Sequence, residues 1–461
     1  IKEIEKTMAD LIELKIIVYR KFAKEYRIWE GSDFNIEVAI EKRISSLPSG
    51  VELVKKLNEL CEQPTLIAKR HYEEKGTLRR FNVKFLEIDF IYSLDALEVL
   101  GKTLIAEGSE GGVGLIVTSN LEEHETASET LAKLKLPNNL VLILAKPDLI
   151  LYDLLKECMA LGDIMGNESE LLSDIVAQKE VSSRLFDAQD RLNNKINDVF
   201  WRFDGSNSVY WDGQLKDIKS KRGFNALLSE AFGQFFKKSP TNHNELMNRP
   251  KVSGSVSAAR KSLIRTVLSS KGKDILDMGS TPGTQTIYKL LYARTGMFEK
   301  IGGLYSFKKP TDREWLRVWE AVTKYFDERI GQDVGFQDLL TYFEGAPFGI
   351  RSPVMMMFML GYLETPNTGV ALYDDGTYVP QKDEVMYEIL SKRPKHFTLR
   401  KFGKAENEKN VLFALYKVMT NETLPDSEEL LFDVLKVLYK PIRLLPSYVN
   451  QTRQTDEVTV K

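Results

Sequence analysis

Residues 101–103 read Gly-Lys-Thr, which is how the phosphate-binding Walker A loop ends. The full motif needs another glycine five residues earlier, where this chain has Ala96. Leucines recur at helical spacing through this stretch, so we predict one continuous helix over residues 94–105. Amides in the middle of a helix are already bonded to carbonyls of the same helix. A phosphate-binding loop is therefore not predicted.

Residues 275–283 resemble the first motif of the S-adenosylmethionine-dependent methyltransferases. Asp277 and Gly279 occupy its acidic and first glycine positions, but Ser280 and Thr281 replace the glycine pair. An acidic ribose ligand is expected about 20 residues further on, where Glu299 follows no predicted strand. S-adenosylmethionine binding through Asp277 and Gly279 is therefore an alternative function, and a connecting loop is the favoured interpretation.

Two basic clusters could contact a polyanion. The first surrounds the start of a helix predicted over residues 255–268, where free amides and guanidinium groups together favour anions. The second lies on a hairpin predicted over residues 66–83. The predicted polyanion-binding residues are Arg249, Lys251, Arg260, Lys261 and Arg265 in the first cluster, and Arg70, Arg79 and Arg80 in the second. A solvated or salt-bridged surface is the alternative for both.

No other arrangement indicates catalysis, so no catalytic residue is predicted. Glu122, Glu123 and His124 are consecutive, and neighbouring side chains on a helix point apart. The four histidines lie far apart without metal-ligand spacing, which predicts no metal site. No serine or cysteine has a partnered histidine at a recognisable spacing.

The bulk composition restricts the partners and the compartment. A net charge of −2 argues against a nucleic-acid footprint over the whole protein. Two cysteines fit a reducing compartment, so we expect a cytoplasmic protein. The longest apolar run, residues 354–363, is about half a membrane span, and no membrane association is predicted. Because the chain begins at Ile1 inside a helical pattern, we expect it to be a segment of a longer polypeptide.

We predict a mixed, mainly α-helical fold with a small α/β layer, a helical arm and a winged helix-turn-helix module. Strands alternate with helices between residues 94 and 165, which indicates a parallel sheet. The predicted regions are 1–62 (helical), 63–165 (hairpin plus α/β subdomain), 166–205 (helical arm), 206–310 (helical), 311–403 (winged-helix-like) and 404–461 (C-terminal helices).

The winged-helix prediction comes from residues 336–380. They read as a helix over 336–343, a Gly/Pro turn, a helix over 352–364 and a strand–turn–strand. Winged helices often grip nucleic acid, yet residues 354–360 of the second helix carry no side chain that reads base edges. Each of these large apolar side chains contributes roughly 1.5–3 kcal/mol when buried. The module is therefore predicted to be a packing and docking unit.

Short stretches along the chain resemble one family, the large bacterial multidomain P-loop ATPases, many from mobile or antiphage defence loci. These stretches are residues 26–33, 68–72, 76–79, 244–249, 258–263, 346–350, 372–380 and 445–448. The resemblance implies that a P-loop domain, which binds ATP and Mg²⁺, precedes this region. This chain would then be a non-catalytic coupling region without a cofactor of its own.

Three functions therefore stay open at this stage. The leading hypothesis is a coupling or interaction region of an ATP-dependent bacterial protein, associated with DNA in phage defence. Its expected partners are other domains of the same polypeptide, DNA and a protein partner. The alternatives are a methyltransferase and a pure protein-interaction scaffold.

Overall fold

A computed structural model describes the chain except at residues 1, 15, 21–24, 29–33, 47–50, 93, 106–107, 168–170, 172–173, 250–251, 270–280, 367, 403–405, 421–433 and 441–461. The fold is mixed α/β and divides into two compact units. Unit 1 comprises Ile1–Lys69 and Arg79–Phe232, and unit 2 comprises Arg70–Leu78 and Gly233–Lys461.

Unit 1 begins with helices and one hairpin. The elements are α1 (Lys2–Glu13), β1 (Ile17–Arg20), β2 (Glu25–Ile28), α2 (Ile36–Ser45) and α3 (Val51–Leu60). The prediction that residues 1–62 are wholly helical is wrong, because β1 and β2 form an antiparallel pair. Tyr19 and Tyr26 face each other across it with ring centroids 4.8 Å apart. Such aromatic cross-strand pairs stabilise a sheet and compete with the helical pattern.

A six-stranded mixed sheet forms the centre of unit 1. Its strands lie side by side in chain order: β3 (Leu66–Ile67), β4 (Arg80–Leu86), β5 (Gly111–Ile116), β6 (Leu140–Ala145), β7 (Asn207–Trp211) and β8 (Gln214–Lys216). The β5 and β6 strands are parallel, as predicted, β4 is also parallel to β5 although it was predicted only as a hairpin strand, and the outer pairs are antiparallel. The predicted hairpin is confirmed only as the short β3–β4 pair. Residues between those strands include the helix α4 (Lys69–Lys75), because the chain leaves the sheet there.

Helices cover both faces of this sheet. On one face Leu140, Leu142 and Leu144 pack in a core with α5 (Leu94–Leu104) and α6 (Leu121–Leu131). Val141 and Ile143 point to the opposite face and are equally buried. There α7 (Leu149–Asn167) packs along α8 (Ile175–Trp201), and α8 also contacts β6. The predicted helical arm is thus a helix, but its apolar face is buried rather than free.

Unit 2 follows α9 (Lys221–Phe235), at whose end the chain leaves unit 1. Its first elements are α10 (Gly254–Ser269), α11 (Pro282–Tyr288), β9 (Phe298–Ile301) and β10 (Leu304–Phe307). The region 206–310, predicted as helical, also holds the β7–β8 and β9–β10 hairpins, which the prediction missed. A Gly-Gly pair with positive φ, at 302 and 303, permits the tight β9–β10 turn.

The rest of unit 2 surrounds a large apolar core. Its elements are α12 (Arg313–Asp327), β11 (Val334–Gly335), α13 (Phe336–Glu344), α14 (Ser352–Glu364), β12 (Val370–Asp374), β13 (Thr377–Tyr378), α15 (Glu384–Lys392), β14 (Phe397–Lys401) and α16 (Glu406–Thr420). The strands form a sheet in the order β11-β14-β12-β13. The α14 helix has the predicted bounds, and six of its residues 354–360 are buried. The expectation that this helix is a core element is confirmed.

Residues 434–440 form a further helical turn near the C terminus. Within the described part of the chain, no helix combines the length and the apolar character that a membrane crossing requires.

Candidate functional site

The cations of α10 form ion pairs with the acidic face of α15. Lys261 Nζ lies 2.5 Å from one carboxylate oxygen of Glu388, and the other oxygen accepts a hydrogen bond from Lys392 at 2.6 Å. The hydrogen bonds from these two lysines lower the pKa of Glu388 to about 2. Arg265 donates two hydrogen bonds to Glu384, at 2.8 and 3.0 Å. We call this set of ion pairs the α10–α15 clasp.

The other residues of the first basic cluster differ in exposure. Arg260 is partly buried, its guanidinium lies 3.6 Å from the sulfur of Met356, and burial lowers the pKa of Arg260. Arg249 is exposed, and Lys251 lies outside the described residues. The structure therefore supplies carboxylate partners for Lys261 and Arg265, the arrangement that the sequence left open as the alternative. Contact with a polyanion stays a prediction.

The three arginines of the second basic cluster differ in exposure. Arg79 is 1% exposed, and its guanidinium lies 3.7 Å from Glu110. Arg80, the next residue, is exposed at the start of β4. Arg70 lies on α4 and donates to Glu74 at 2.8 Å. Burial thus removes Arg79 from any surface that a polyanion could reach.

The remaining chemical motifs occupy ordinary structural positions. Residues 101–103 lie in α5, as predicted. Glu123 accepts a hydrogen bond from the Ser119 hydroxyl at 2.7 Å, and His124 Nδ1 lies 3.1 Å from the Ala145 carbonyl oxygen. Asp277 and Gly279 lie outside the described residues, and Glu299 pairs with Lys308 at 2.5 Å. No group of three metal-ligating side chains occurs among the described residues.

Unit 2 contains a buried polar site that the sequence analysis did not predict. One part of this site is the segment Arg70–Leu78, which we call the anchor segment. It belongs to unit 2, although the strands that flank it in the chain, β3 and β4, belong to unit 1. The Lys75 carbonyl accepts a hydrogen bond from the backbone N–H of Asn242 at 2.9 Å. The Leu78 carbonyl accepts one from the Arg351 guanidinium at 3.2 Å. The middle and the C-terminal end of the segment are therefore bonded to later parts of the chain.

Glu314, at the start of α12, connects the anchor segment to the loop at 239–249. Its carboxylate accepts hydrogen bonds from Lys75 Nζ and the Thr241 amide, both at 2.6 Å. Burial would raise the pKa of Glu314, but the hydrogen bonds from Lys75 and Thr241 outweigh it and lower that pKa. Trp315, the next residue, donates its indole N–H to the Thr241 carbonyl at 3.3 Å. One carboxylate thus fixes two separate segments.

Gly76 permits the close approach at the centre of this site. It has φ +76°, and a Cβ there would stand 2.2 Å from the Asn242 carbonyl oxygen. Asn248 donates to the Gly76 carbonyl at 2.9 Å and to the Asn242 carbonyl. Asn242, Asn244 and Asn248 are all buried. Asn242 and Asn248 bond to the anchor segment, whereas the buried Asn244 Oδ1 accepts no hydrogen bond from the described residues.

Tyr72 adds a polar contact at the surface of the same site. Its hydroxyl donates to the carboxylate of Glu245, and this hydrogen bond raises the pKa of Tyr72. Elsewhere in unit 2, the backbone amide of Lys238 donates to the Pro347 carbonyl at 2.9 Å. Three asparagines within residues 242–248 were the only local signal of the buried polar site.

Comparison with known proteins gives no family for this chain. No protein-family model, curated protein or solved structure matches it significantly.

Proposed function

We propose that this chain is a coupling and interaction region of a larger ATP-dependent bacterial protein. The observation that carries the proposal is the anchor segment, which is bonded into unit 2 but is covalently continuous with strands of the unit 1 sheet. Leu78 lies only two residues before β4 begins. A displacement of the anchor segment would therefore act on β4 through the chain itself. The P-loop ATPase domain that the family resemblance implies would cause such a displacement.

The coupling can be tested with Glu314→Ala, which removes the acceptor of both Lys75 and the Thr241 amide. We expect amide exchange in β4 to become about tenfold faster or more, the equivalent of one lost charge-assisted hydrogen bond. Hydrogen exchange followed by mass spectrometry on the whole chain measures this. Glu320→Ala on the same helix removes only the exposed Lys309–Glu320 pair and is the matched control. Unchanged exchange in β4 of the Glu314 variant would refute coupling.

The element order of residues 313–401 supports a winged helix-turn-helix module as part of the proposal. Three helices, α12, α13 and α14, are followed by β12 and β14, and the order β11-β14-β12 is that expected for a wing paired with the first strand. The α15 helix is inserted between the two wing strands. Since α14 is buried, the module would act by packing and docking rather than by reading bases.

DNA association is the second part of the proposal, and the α10–α15 clasp permits a specific test. Glu384→Gln with Glu388→Gln frees Lys261 and Arg265 on α10, and Lys392 on α15, without touching the cations. If α10 contacts phosphates, affinity for a short duplex should rise. The slope of log K against log salt should steepen by up to about 2, because each phosphate contact adds roughly 0.9. Fluorescence anisotropy over a salt series measures both.

The control for this experiment is Glu320→Gln with Glu328→Gln, two exposed carboxylates of which the first lies on α12 and the second directly follows it. It makes the same change in net charge outside the clasp. An unchanged salt slope in the clasp variant, or the same increase in the control, would argue that the clasp only stabilises the fold.

A further inference from the structure

A cleft at the carboxyl end of β4 has the dimensions of a small-molecule site. Its volume is about 780 Å³, within the range of roughly 300–1,000 Å³ that is usual for ligand pockets. Its walls come from α3, the end of β4, the turn at Ile88–Ile91 and α5, all in unit 1. The cleft lies at the end of the first parallel strand of this sheet.

The cleft combines an apolar floor with a few polar groups, the usual composition of ligand sites. Val54, Phe85, Leu86 and Phe90 supply the apolar part. Some of the polar lining groups are already engaged within the protein. The Asn58 amide pairs with both backbone groups of Phe85, at 2.9 and 3.0 Å, and Glu59 pairs with Lys56 at 2.5 Å. These groups shape the wall and leave other side chains to meet a ligand.

Lys84 and Glu87 are the groups that remain for recognition. Both line the cleft and are partly buried, and neither forms an ion pair or hydrogen bond with another described side chain. A ligand with complementary groups would pair with both side chains. Lys55 adds a second cation, and Thr103 adds a hydroxyl. A phosphate accepts hydrogen bonds from lysine, whereas an acidic side chain accepts them from ribose hydroxyls.

We propose that this cleft binds a nucleoside phosphate. Its phosphate accepts hydrogen bonds from Lys84 and Lys55, its ribose hydroxyls donate to the Glu87 carboxylate, and its base packs on the Phe90 ring. Aromatic side chains are good partners for bases, because every base has a flat π face. This site is distinct from the P-loop site that the family resemblance places in another domain. It does not depend on the coupling role proposed above.

Titration calorimetry of the whole chain with ADP, AMP, adenosine and inorganic phosphate tests the site. We expect one saturable site for ADP, with adenosine binding more weakly. Lys84→Gln should lower ADP affinity about tenfold or more, as the loss of a charge-assisted hydrogen bond does, and change adenosine affinity little. Glu87→Gln should weaken ADP and adenosine by similar factors. This pattern assigns the two residues to different parts of the ligand.

The matched control is Lys102→Gln, which removes the same charge next to Thr103 from an exposed side chain that does not line the cleft. It should bind ADP as the unsubstituted chain does. Thermal unfolding of each variant confirms that the fold is retained, as expected for partly exposed positions. Absence of saturable ADP and AMP binding would overturn the proposal. So would ADP affinity that neither Lys84→Gln nor Glu87→Gln changes, or that Lys102→Gln lowers equally.

Discussion

Replacing Gly76 by alanine is expected to destabilise unit 2 by about 3 kcal/mol or more. The positive φ alone accounts for about 1 kcal/mol of this. The new Cβ would also stand 2.2 Å from the Asn242 carbonyl oxygen, so the anchor segment has to move away from the loop at 239–249. That movement breaks the hydrogen bonds that Asn242 and Asn248 make with the segment, and each buried group left unpaired costs about 1–3 kcal/mol.

The Gly331→Ala variant distinguishes the cost of the positive φ from the cost of the steric clash with Asn242. Gly331 has the same φ of +76°, but its Cβ would meet no atom within 4 Å. It should therefore lose only the backbone contribution of about 1 kcal/mol. Urea unfolding monitored by tryptophan fluorescence gives both values. Equal free energies of unfolding for the Gly76 and Gly331 variants would mean that the anchor segment can move away from the loop at 239–249 without loss of stability. That result would contradict our description of the anchor segment.

Phe358→Ala is expected to cost about 3–5 kcal/mol, the usual range for removing a fully buried aromatic ring. Phe358 stacks on Trp315 with ring centroids 5.4 Å apart and meets the edge of Trp319 at 6.1 Å. Its loss leaves a cavity between α12 and α14 that neighbouring side chains fill only in part. Urea unfolding followed by circular dichroism and by tryptophan fluorescence, to which these two side chains contribute, measures the loss.

The same variant distinguishes a packing helix from a base-reading helix. A base-reading role for α14 predicts normal stability and weaker DNA binding, whereas a packing role predicts lower stability and unchanged binding of the folded protein. Phe186→Ala on α8 is the matched control, because that ring is 71% exposed. It should change the free energy of unfolding by less than about 0.5 kcal/mol. Wild-type stability in the Phe358 variant would contradict our interpretation of α14.

The chain order of elements with strong local patterns could be predicted from the sequence. The α14 helix has the predicted bounds and β6 lies in the predicted α/β region, and both are continuous apolar runs that must be buried. Shorter or weaker patterns were misread. In the β1–β2 hairpin the apolar residues have the spacing of a helix, which led to a helix prediction. In α4 the residues alternate as in a strand, which led to a strand prediction. In both places long-range packing outweighs local preference.

The sequence by itself thus determined the mixed fold, the buried second helix of residues 336–380 and the absence of a recognisable catalytic motif. Only the tertiary structure decided which charges meet. Lys261 and Glu388 are 127 residues apart, and Tyr72 and Glu245 are 173 apart. No local periodicity records such a pair, because the partners become neighbours only when separate elements pack. For the same reason the anchor segment, which the sequence assigned to a hairpin, is identified only by the contacts that hold it in unit 2.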